Sequence, residues 1–362
     1  AVLNIFRLHC WHWFSNEEIL KDFFSGPLMW AGAGTVADMG ELKNENRILV
    51  AKGLEAMSRC GREKSFKDSI IGEIIRRRNL ATPLTEKDIS WVIAPFLNAA
   101  GRMGRTDLLV ACAETGDKSS LAAEIDTVNE LRKKICDELF MQIKQNPQDD
   151  RMIFCYLPEI PTGLTGLLAM RLLEEYQKPA VIIGKRDNIY ASGSIRSSEE
   201  INTTALLTEL RHFFLQFGGH DTASGFTIEI SRIEEFRTEL KNKIGSSSQK
   251  TQMEKYYDYP APLNDFSMSD YKSIMDLAPF GSGNEEPVFL EKEVPVKCVF
   301  FGRENRHVKI KAPGSNRLFI GWGLAEKFRV LSGKKIDLLY SLEYDNYRND
   351  LRGLIRQCRI SI

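Results

Sequence analysis

The stretch FGGHDTASGF, residues 217–226, stands between a helical and a strand-like pattern and decides the fold class of the region around it. A helix is predicted from Thr203 to Phe214, and a glycine pair just beyond a helix is typical of its end. A strand is predicted to follow from Gly225 to Ile230. The same alternation extends over residues 151–245, which favours a mainly parallel or mixed sheet covered by helices. The other predicted elements are strands at Met152–Leu157, Ala180–Ile183 and Ile189–Ser192, a turn at Gly163–Gly166 with a helix through Tyr176, and a helix at Ile233–Ile244.

Residues 1 to about 112 are interpreted as the remainder of another α/β domain. The small, apolar run from Trp30 to Ala37 predicts a buried strand that ends at Asp38. Apolar residues at three-residue spacing then predict a helix from Asn44 or Glu45 through Met57. Further predictions are a buried helix at Ala1–Phe14, a helix at Lys67–Arg78 with a basic end, a helix at Glu86–Ala94 capped by Thr85, and a turn at Pro95 that leads into the loop NAAGRMG.

Between the two α/β patterns, residues 117–145 carry apolar residues at spacings of three and four, the pattern of one long amphipathic helix. At about 1.5 Å per residue it would be roughly 40 Å long, and Asn146-Pro147 would end it. Two interpretations stay open: a core helix inside a single domain, or a helix that joins two domains across a cleft. The length and the position of the helix favour the second.

The C-terminal part of the chain has a different pattern. Gly245 to Glu254 is rich in Ser, Lys and Gln and predicts a linker. Beyond it, short strand candidates are separated by turn-prone residues, which is typical of a small Greek-key barrel such as an OB domain. These strand candidates are Val296–Phe301, His307–Lys311, Leu318–Trp322, Ile336–Leu342 and Leu351–Ile362.

Composition indicates an intracellular protein of several domains. The chain has 362 residues, of which 43% are hydrophobic and 27% charged, and its apolar runs are far shorter than a membrane span. Its seven cysteines are scattered and never form a CxxC pair, so neither a disulfide framework nor a zinc site is indicated, and we expect reduced thiols in the cytoplasm. The formal net charge is zero, so any surface for nucleic acid must be a local patch.

Two motifs of the N-terminal part are candidates for phosphate chemistry. Asp38 would lie at the carboxyl end of a buried strand, the usual edge for ligand sites in open α/β sheets, and carboxylates suit Mg²⁺ and Mn²⁺. Alternatively, Asp38 caps the turn into the next helix. In NAAGRMG, Asn98, Gly101 and Arg102 are predicted in a loop whose small residues let backbone approach a phosphodiester, with Arg102 as a bidentate cation. The alternative is a structural turn with a surface arginine.

Two further motifs belong to the region 151–245. GSIRS, residues 193–197, places Ser194 and Arg196 beside a permissive glycine, a combination suited to a terminal phosphate. A plain turn at a strand edge is the alternative. Within FGGHDTASGF, Gly218, Gly219 and His220 are predicted in a turn, where the glycines have the simpler interpretation of a helix end.

Basic and aromatic residues alternate in the predicted barrel. Cations that follow a phosphate backbone and rings that stack on bases are what a groove for single-stranded nucleic acid requires. The same alternation also arises from the core and solvent faces of ordinary strands. The predicted binding residues are Arg306, His307, Lys309 and Trp322, in a neighbourhood that includes Phe300, Phe301, Arg303, Lys311, Arg317 and Phe319.

Five motifs follow one another along the chain: GTVADMG (34–40), APFLNAAGRMG (94–104), GSIRS, FGGHDTASGF and LAPFGSGNEEPVF (277–289). Their sequence and order resemble those of the RecJ-like exonucleases of the DHH phosphoesterase family. Enzymes of that kind degrade single-stranded DNA from its 5′ end. The resemblance runs from roughly residue 20 to the C-terminus. It implies that Asp38 is a ligand of a two-metal Mn or Mg centre and that Asn98, Gly101 and Arg102 border the substrate cleft. It also implies that Ser194 and Arg196 recognise the 5′ phosphate, and that the GGH turn contacts substrate with His220 directed toward phosphate.

The resemblance further implies the domain order. We expect the end of a DHH catalytic domain at 1–115, a connecting helix at 116–147, a DHH-associated α/β domain at 148–245, a linker at 246–262 and an OB domain of β-barrel type at 263–362. The expected function is metal-dependent 5′-to-3′ hydrolysis of single-stranded DNA in recombination and repair. The expected location is the cytoplasm, with single-stranded DNA as partner and no membrane.

No Asp-His-His triplet occurs, and the five histidines lie elsewhere. The chain starts at Ala1 without a methionine and is therefore interpreted as the C-terminal portion of such a protein. Possible partners are the missing catalytic half, a helicase or a single-strand-binding protein. Two alternatives stay open: an inactive module or paralogue that only binds single strands, and a DHH phosphodiesterase for short oligonucleotides. The second is disfavoured because relatives of that kind generally lack the OB domain.

Overall fold

The computed structural model describes residues 17–60, 69–114, 116–145, 150–198, 200–246 and 257–361. The predicted helix at Ala1–Phe14 lies outside these ranges, as does most of the predicted linker. The chain divides into two compact units, one formed from residues 1–56, 83–89 and 253–362 and the other from residues 57–82 and 90–252. Among the described residues, no helix is both long and apolar enough to cross a bilayer.

The first unit begins with two helices, α1 (Glu17–Ala37) and α2 (Asn44–Cys60), of which the last turn of α2 belongs to the second unit. The prediction of a strand from Trp30 to Ala37 is therefore wrong. The small residues serve a close helix contact instead, because a Cβ on Gly53 would lie 2.6 Å from the carbonyl oxygen of Leu28 and 3.1 Å from the Cα of Gly32. The predicted helix from Asn44 is confirmed and extends one turn further.

A seven-stranded sheet forms the rest of the first unit, in the order β6-β7-β11-β12-β10-β9-β8. All five predicted strands are present, while two earlier ones were missed. The core lies on one face and includes Val308, Ile310, Phe319 and Tyr340. The strands are β6 (Tyr259–Pro260), β7 (Phe289–Pro295), β8 (Cys298–Phe301), β9 (His307–Lys311), β10 (Leu318–Gly321), β11 (Lys335–Asp345) and β12 (Asp350–Ile360), with helices α11 (Met268–Met275) and α12 (Ala325–Arg329).

The second unit contains α3 (Ile70–Arg78), capped by the Ser69 side chain. Residues 83–89 belong to the first unit, and there Thr85 caps the next helix, as predicted, through a capping box with Asp88. That helix does not stop at a Pro95 turn. It runs from α4 (Glu86–Asp88) through a π-helical turn (Ile89–Ile93) into α5 (Ala94–Arg102), and Pro95 stands just after the π-helical turn. After α6 (Thr106–Ala113), the predicted long helix is present as α7 (Lys118–Gln145) within the second unit.

A five-stranded mixed sheet completes the second unit, in the order β1-β2-β3-β5-β4, with β1 parallel to β2 and the other pairs antiparallel. The helix predicted from Thr203 to Phe214 ends early, at Glu209. The residues after Phe213 form a strand, which was not predicted because its glycine pair was interpreted as the end of the helix. The elements are β1 (Ile153–Tyr156), α8 (Thr165–Tyr176), β2 (Ala180–Lys185), β3 (Tyr190–Arg196), α9 (Thr203–Glu209), β4 (Phe214–His220), β5 (Ala223–Glu229) and α10 (Ile233–Ser246).

Candidate nucleic-acid interface

One face of the sheet in the second unit carries the predicted phosphate residues. The residues of β3 alternate between buried and half-buried, with Ser194 and Arg196 on the half-buried side. Ser194 pairs with Gly225 of β5, which pairs with Gly218 of β4. Paired residues of antiparallel strands share a face, so these positions form one row across three strands. The alternative of a plain turn at GSIRS is not what the structure shows, because Ser194 and Arg196 both belong to strand β3.

The first turn of α8 lies against Ser194. The Oγ1 atom of Thr165 donates to the carbonyl oxygen of Thr162 at 2.9 Å and lies 3.0 Å from the Oγ atom of Ser194. Because the Thr165 proton is used, Ser194 is the donor of that second bond. A Cβ on Gly166 would lie 3.4 Å from Nη2 of Arg196, so this glycine leaves room beside the guanidinium. Ser194 and the guanidinium of Arg196 therefore lie beside the first turn of α8.

Arg196 is a half-buried cation with unused bonding capacity. Its Nε atom is buried and has no hydrogen-bond partner among the described residues. Burial lowers the pKa of the guanidinium from its ordinary value, since the charged form is desolvated. A buried donor without a partner is costly, so the site is suited to an anion that supplies the missing acceptor.

The guanidinium group of Arg102 lies near those of Arg196 and Arg132. Arg102, at the end of α5, donates from Nη1 to the carbonyl oxygen of Gly163 at 3.4 Å. Burial lowers the pKa of Arg102, and the positive charges of Arg132 and Arg196 lower it further. We call Arg102, Arg132, Ser194 and Arg196 the phosphate cluster. Arg132, on α7, was missed by the sequence analysis, because nothing distinguishes it there from the other charged residues of a long amphipathic helix.

The prediction of a loop around Arg102 is corrected by α5. Asn98 and Arg102 are one helical turn apart, and Asn98 is exposed. Gly101 is also helical, and a Cβ there would lie 3.2 Å from Cδ1 of Leu109. The glycine therefore permits close packing between α5 and α6.

A groove of about 370 Å³ continues from Ser194 across the sheet. Gly218 lies on its floor, where a Cβ would meet no atom within 4 Å, so the floor is flat and open. The predicted GGH turn is part of β4, and Gly219 has a φ of +154° that favours glycine. His220 is exposed and pairs with Ala223, which pairs with Arg196. The groove is lined by Thr162, Thr165, Ser192, Gly193, Ser194, Gln216, Phe217, Gly218, Gly225, Phe226 and Thr227.

Asp38 lies in the first unit, in the turn that follows α1. Its backbone amide donates to the carbonyl oxygen of Gly34 at 3.0 Å, and its side chain is exposed. Within the described ranges, no group of three or more His, Cys, Asp or Glu side chains could hold a metal ion. Asp38 thus has the right chemistry for a Mn²⁺ or Mg²⁺ ligand, but the described residues do not build a metal centre around it.

The predicted basic and aromatic residues of the sheet in the first unit do come together. The ring of His307 lies 5.4 Å from that of Phe301 and 5.0 Å from that of Trp322, and Nζ of Lys309 lies 5.7 Å from the Phe301 centroid. Gly323 donates its amide hydrogen to Nδ1 of His307 at 3.0 Å, which orients the imidazole. Trp322 is 51% exposed. We call these four side chains, of Phe301, His307, Lys309 and Trp322, the aromatic cluster.

Two arginines of the same neighbourhood differ in role. Arg306 is exposed and follows a short helical turn beside the aromatic cluster. Arg317 is held inside the unit, where it pairs with Asp350 at 3.1 Å and donates to the carbonyl oxygens of Leu263 at 2.9 Å and Phe266 at 2.7 Å. The sequence interpretation that grouped Arg317 with DNA-binding residues is therefore replaced by a structural role.

Family models match both units. Residues 149–246 match the DHHA1 domain, and residues 257–352 match the RecJ OB domain. The chain is 28% identical over 339 residues to the single-stranded-DNA-specific exonuclease RecJ of Bacillus subtilis, covering 88% of this chain and 42% of that protein. It is 25% identical to RecJ of Salmonella typhimurium, covering 93% of this chain and 61% of that protein.

Solved structures give the same result for the fold. RecJ from Thermus thermophilus in complex with Mn²⁺ superimposes with a TM-score of 0.73 at 21% identity, over 93% of this chain and 50% of that one. The Mg²⁺ complex of the same enzyme gives a TM-score of 0.71 at 20% identity, over 93% of this chain and 53% of that one. The chain thus spans about half the length of the relatives it matches. Its residues 149–246 and 257–352 thus match a DHHA1 domain followed by a RecJ OB domain, and the chain is similar to RecJ proteins over most of its length.

Proposed function

We propose that this chain contributes to metal-dependent 5′-to-3′ hydrolysis of single-stranded DNA in recombination and repair. In this proposal the phosphate cluster holds the 5′-terminal phosphate, and the aromatic cluster holds bases of the same class of substrate. The curated relatives are named as single-stranded-DNA-specific exonucleases, which supports the reaction type. The observation that carries the proposal is the buried Nε atom of Arg196, unpartnered among the described residues and beside Ser194 and the first turn of α8.

The phosphate cluster favours a terminal phosphate over an internal one. A terminal phosphomonoester carries close to two negative charges at neutral pH, whereas an internal diester carries one. The guanidinium groups of Arg102, Arg132 and Arg196 would therefore stabilise the terminal phosphate more strongly than an internal one. Ser194 donates to Thr165 in the free protein and would turn its proton to a phosphate oxygen on binding. His220, on the same row of the sheet as Arg196, is proposed to contact the next phosphate, with Gly218 and Gly219 keeping the floor open.

We propose Asp38 as one ligand of a Mn²⁺ or Mg²⁺ centre. A divalent pair, when bound, supplies an activated water and stabilises charge on the phosphate. One carboxylate does not hold such a pair, and no ligand group surrounds Asp38 within the described ranges. The part assigned to this chain is therefore to bind and orient the strand. The crystal complexes of the Thermus thermophilus enzyme with Mn²⁺ and Mg²⁺ support the choice of metals.

The test is a paired titration. Arg196→Ala and wild-type protein are titrated with one oligonucleotide that carries either a 5′ phosphate or a 5′ hydroxyl, at one salt concentration. Charge-assisted hydrogen bonds contribute about 1.5–3 kcal/mol, so the variant is expected to bind the phosphorylated end about tenfold more weakly and the hydroxyl end nearly as well as wild type. Arg186→Ala removes an exposed arginine in the turn between β2 and β3 and is the matched control. Equal losses for the two ends would reject Arg196 as the end sensor.

A second function, binding of single strands without cleavage, is favoured by the isolated position of Asp38 among the described residues. The 362-residue chain is incubated with labelled single-stranded DNA and Mn²⁺. The binding module is supported if no mononucleotides appear while the strand remains bound, and robust metal-dependent release of mononucleotides would reject it. A polypeptide that carries the Asp-His-His motif, a helicase and a single-strand-binding protein stay predicted partners.

A further inference from the structure

The loop of residues 277–286, between β6 and β7, contacts the segment that follows Asp38. The backbone amide of Leu42 donates to the carbonyl oxygen of Ser282 at 2.7 Å. Nη2 of Arg47, in α2, donates to the carbonyl oxygen of Leu277 at 2.6 Å. The two bonds connect parts of the chain more than 200 residues apart, and both belong to the first unit. The turn of Asp38 is thereby tied to the loop at its C-terminal side.

Side-chain packing reinforces these bonds. Leu42 is 2% exposed, and a Cβ on Gly281 would lie only 2.8 Å from its Cδ1 atom. Gly283 has a φ of +76°, and a Cβ there would lie 2.9 Å from Cε of Lys43. Glycines at these two positions allow the loop backbone to lie directly on the segment after Asp38.

The loop has its own internal support. Nδ2 of Asn284 donates to the carbonyl oxygens of Leu277 at 3.0 Å and Pro279 at 2.8 Å. Gly281 and Asn284 exchange two backbone hydrogen bonds of 2.9 and 3.0 Å. Because these hydrogen bonds already order the loop, contact with a neighbouring segment costs it little further conformational entropy. The loop can therefore act as a rigid support.

Glu286 fastens the end of the loop to two other segments. Its carboxylate, 10% exposed, pairs with Lys87 of α4 at 3.1 Å and with Arg356 of β12. A carboxylate removed from water is stabilised only when it is well paired, and here each oxygen has a cation. The loop thus connects the Asp38 segment, the short helix α4 and the central sheet of the same unit.

We propose that residues 277–286 are a positioning element for the turn that carries Asp38. The proposal rests on the role of Asp38 as a metal ligand under the proposed function. On its N-terminal side that turn is held by the end of α1, through the bonds from Asp38 to Gly34 at 3.0 Å and from Gly40 to Thr35 at 2.9 Å. On its C-terminal side the turn is fixed by the loop, through the hydrogen bond from Leu42 to Ser282. The motif LAPFGSGNEEP, which resembles the start of an OB domain in sequence, thereby acts on the residues next to a candidate catalytic carboxylate.

The test is amide hydrogen exchange of the 362-residue chain, read at Leu42 and in β11 and β12. Arg47→Ala removes the donor to Leu277 and puts the best helix former in α2, so an increase in exchange cannot come from helix propensity. We expect exchange at Leu42 to become about tenfold faster, the size of one lost charge-assisted hydrogen bond, with β11 and β12 unchanged. Lys52→Ala is the matched control, because it removes a cation of the same helix that pairs with the exposed Glu55.

Gly281→Ala tests the same contact from the loop side, with Gly34→Ala as control, since a Cβ on Gly34 meets nothing within 4 Å. Unchanged exchange at Leu42 in both test variants, or an equal rise in β11 and β12, would overturn the positioning role. Failure of the proposed function has a different signature: a protein that contains this chain would show no Mn²⁺-dependent cleavage, while the exchange results stay as expected.

Discussion

The carbonyl oxygen of Arg102 occupies the space that a side chain at Gly163 would need: a Cβ on Gly163 would lie 2.2 Å from that oxygen. Gly163→Ala therefore must displace either the end of α5 or the turn before α8. We expect a loss of about 1–3 kcal/mol in the free energy of unfolding, as for other overpacked sites, together with weaker binding of 5′-phosphorylated oligonucleotides. Denaturant unfolding and an oligonucleotide titration measure the two effects.

Gly218→Ala is the control for that substitution, because a Cβ there meets no atom within 4 Å. Its free energy of unfolding should stay within about 0.5 kcal/mol of wild type, as for surface changes in general. A Gly163→Ala protein as stable as Gly218→Ala would show that the contact with Arg102 relaxes without cost.

Arg132→Ala should weaken binding of a 5′-phosphorylated oligonucleotide several-fold, because the variant removes one of the three cations of the phosphate cluster. At an effective dielectric constant of about 20, a charge several Å away contributes on the order of 1–3 kcal/mol. Arg132→Lys keeps the charge and should retain most of the affinity. Lys133→Ala, on the same helix and paired with Glu130 at 2.7 Å, is the control. Equal affinities of Arg132→Ala and Lys133→Ala would remove Arg132 from the cluster.

The aromatic cluster predicts two separable effects on binding of single-stranded DNA. Trp322→Ala should cost about 1–3 kcal/mol per stacked base and leave the salt dependence unchanged. Lys309→Ala should lower the slope of log affinity against log salt by about 0.7, the value for one phosphate contact on a single strand. Titrations at several salt concentrations measure both. Tyr347→Ala, at a 97% exposed position in the β11–β12 turn, is the control, and losses as large as those of Trp322→Ala would locate binding elsewhere.

Glu291 predicts a pH dependence of stability in the first unit. Burial raises the pKa of its carboxyl group above the ordinary value, although the amide of Leu263 donates to Oε2 at 2.7 Å and partly offsets the effect. The folded state therefore binds this proton more tightly than the unfolded state, and stability falls as pH rises from about 4.3, the ordinary Glu value, through the raised pKa. Glu291→Gln keeps an acceptor for Leu263 without the charge.

We expect Glu291→Gln to be more stable than wild type at pH 8 and to show a flatter stability profile between about pH 4 and pH 8, because the variant has no proton to lose at this position. Thermal or denaturant unfolding at a series of pH values measures the difference. A variant that loses stability equally at every pH would show that the carboxylate is favourable where it lies.

Sequence predicted the helices and strands whose patterns are long or regular. The long helix α7 and the strands from β8 to β12 are present because their apolar periodicity agrees with their burial. Two of the errors share one cause, which is glycine. In α1 and β4, small residues were interpreted as a strand and a turn, whereas they permit close packing to Gly53 and an open sheet face. The spacing of apolar residues in the sequence does not distinguish a glycine that forms a turn from a glycine that allows a neighbouring segment to pack closely.

The candidate site could be predicted in part. Ser194 and Arg196 could be predicted because they stand two residues apart in one short motif. The structure places both on one face of β3. Arg132 could not be found, since its proximity to Arg102 depends on how α5 packs on α7. Likewise, the contact between Leu42 and Ser282 joins segments that no local pattern connects.

The ring of Phe226 fills the volume that a side chain at Gly193 would require, with a Cβ there only 2.4 Å from its Cζ atom. The close contact between Gly193 and the Phe226 ring favours a single register for the pairing of β3 with β5. A slip of one residue would turn Ile195 to the solvent and bury the Arg196 guanidinium in the core. The register that buries Ile195 is therefore also the register that places Arg196 on the half-buried face of the sheet, so the core fixes the position of the guanidinium.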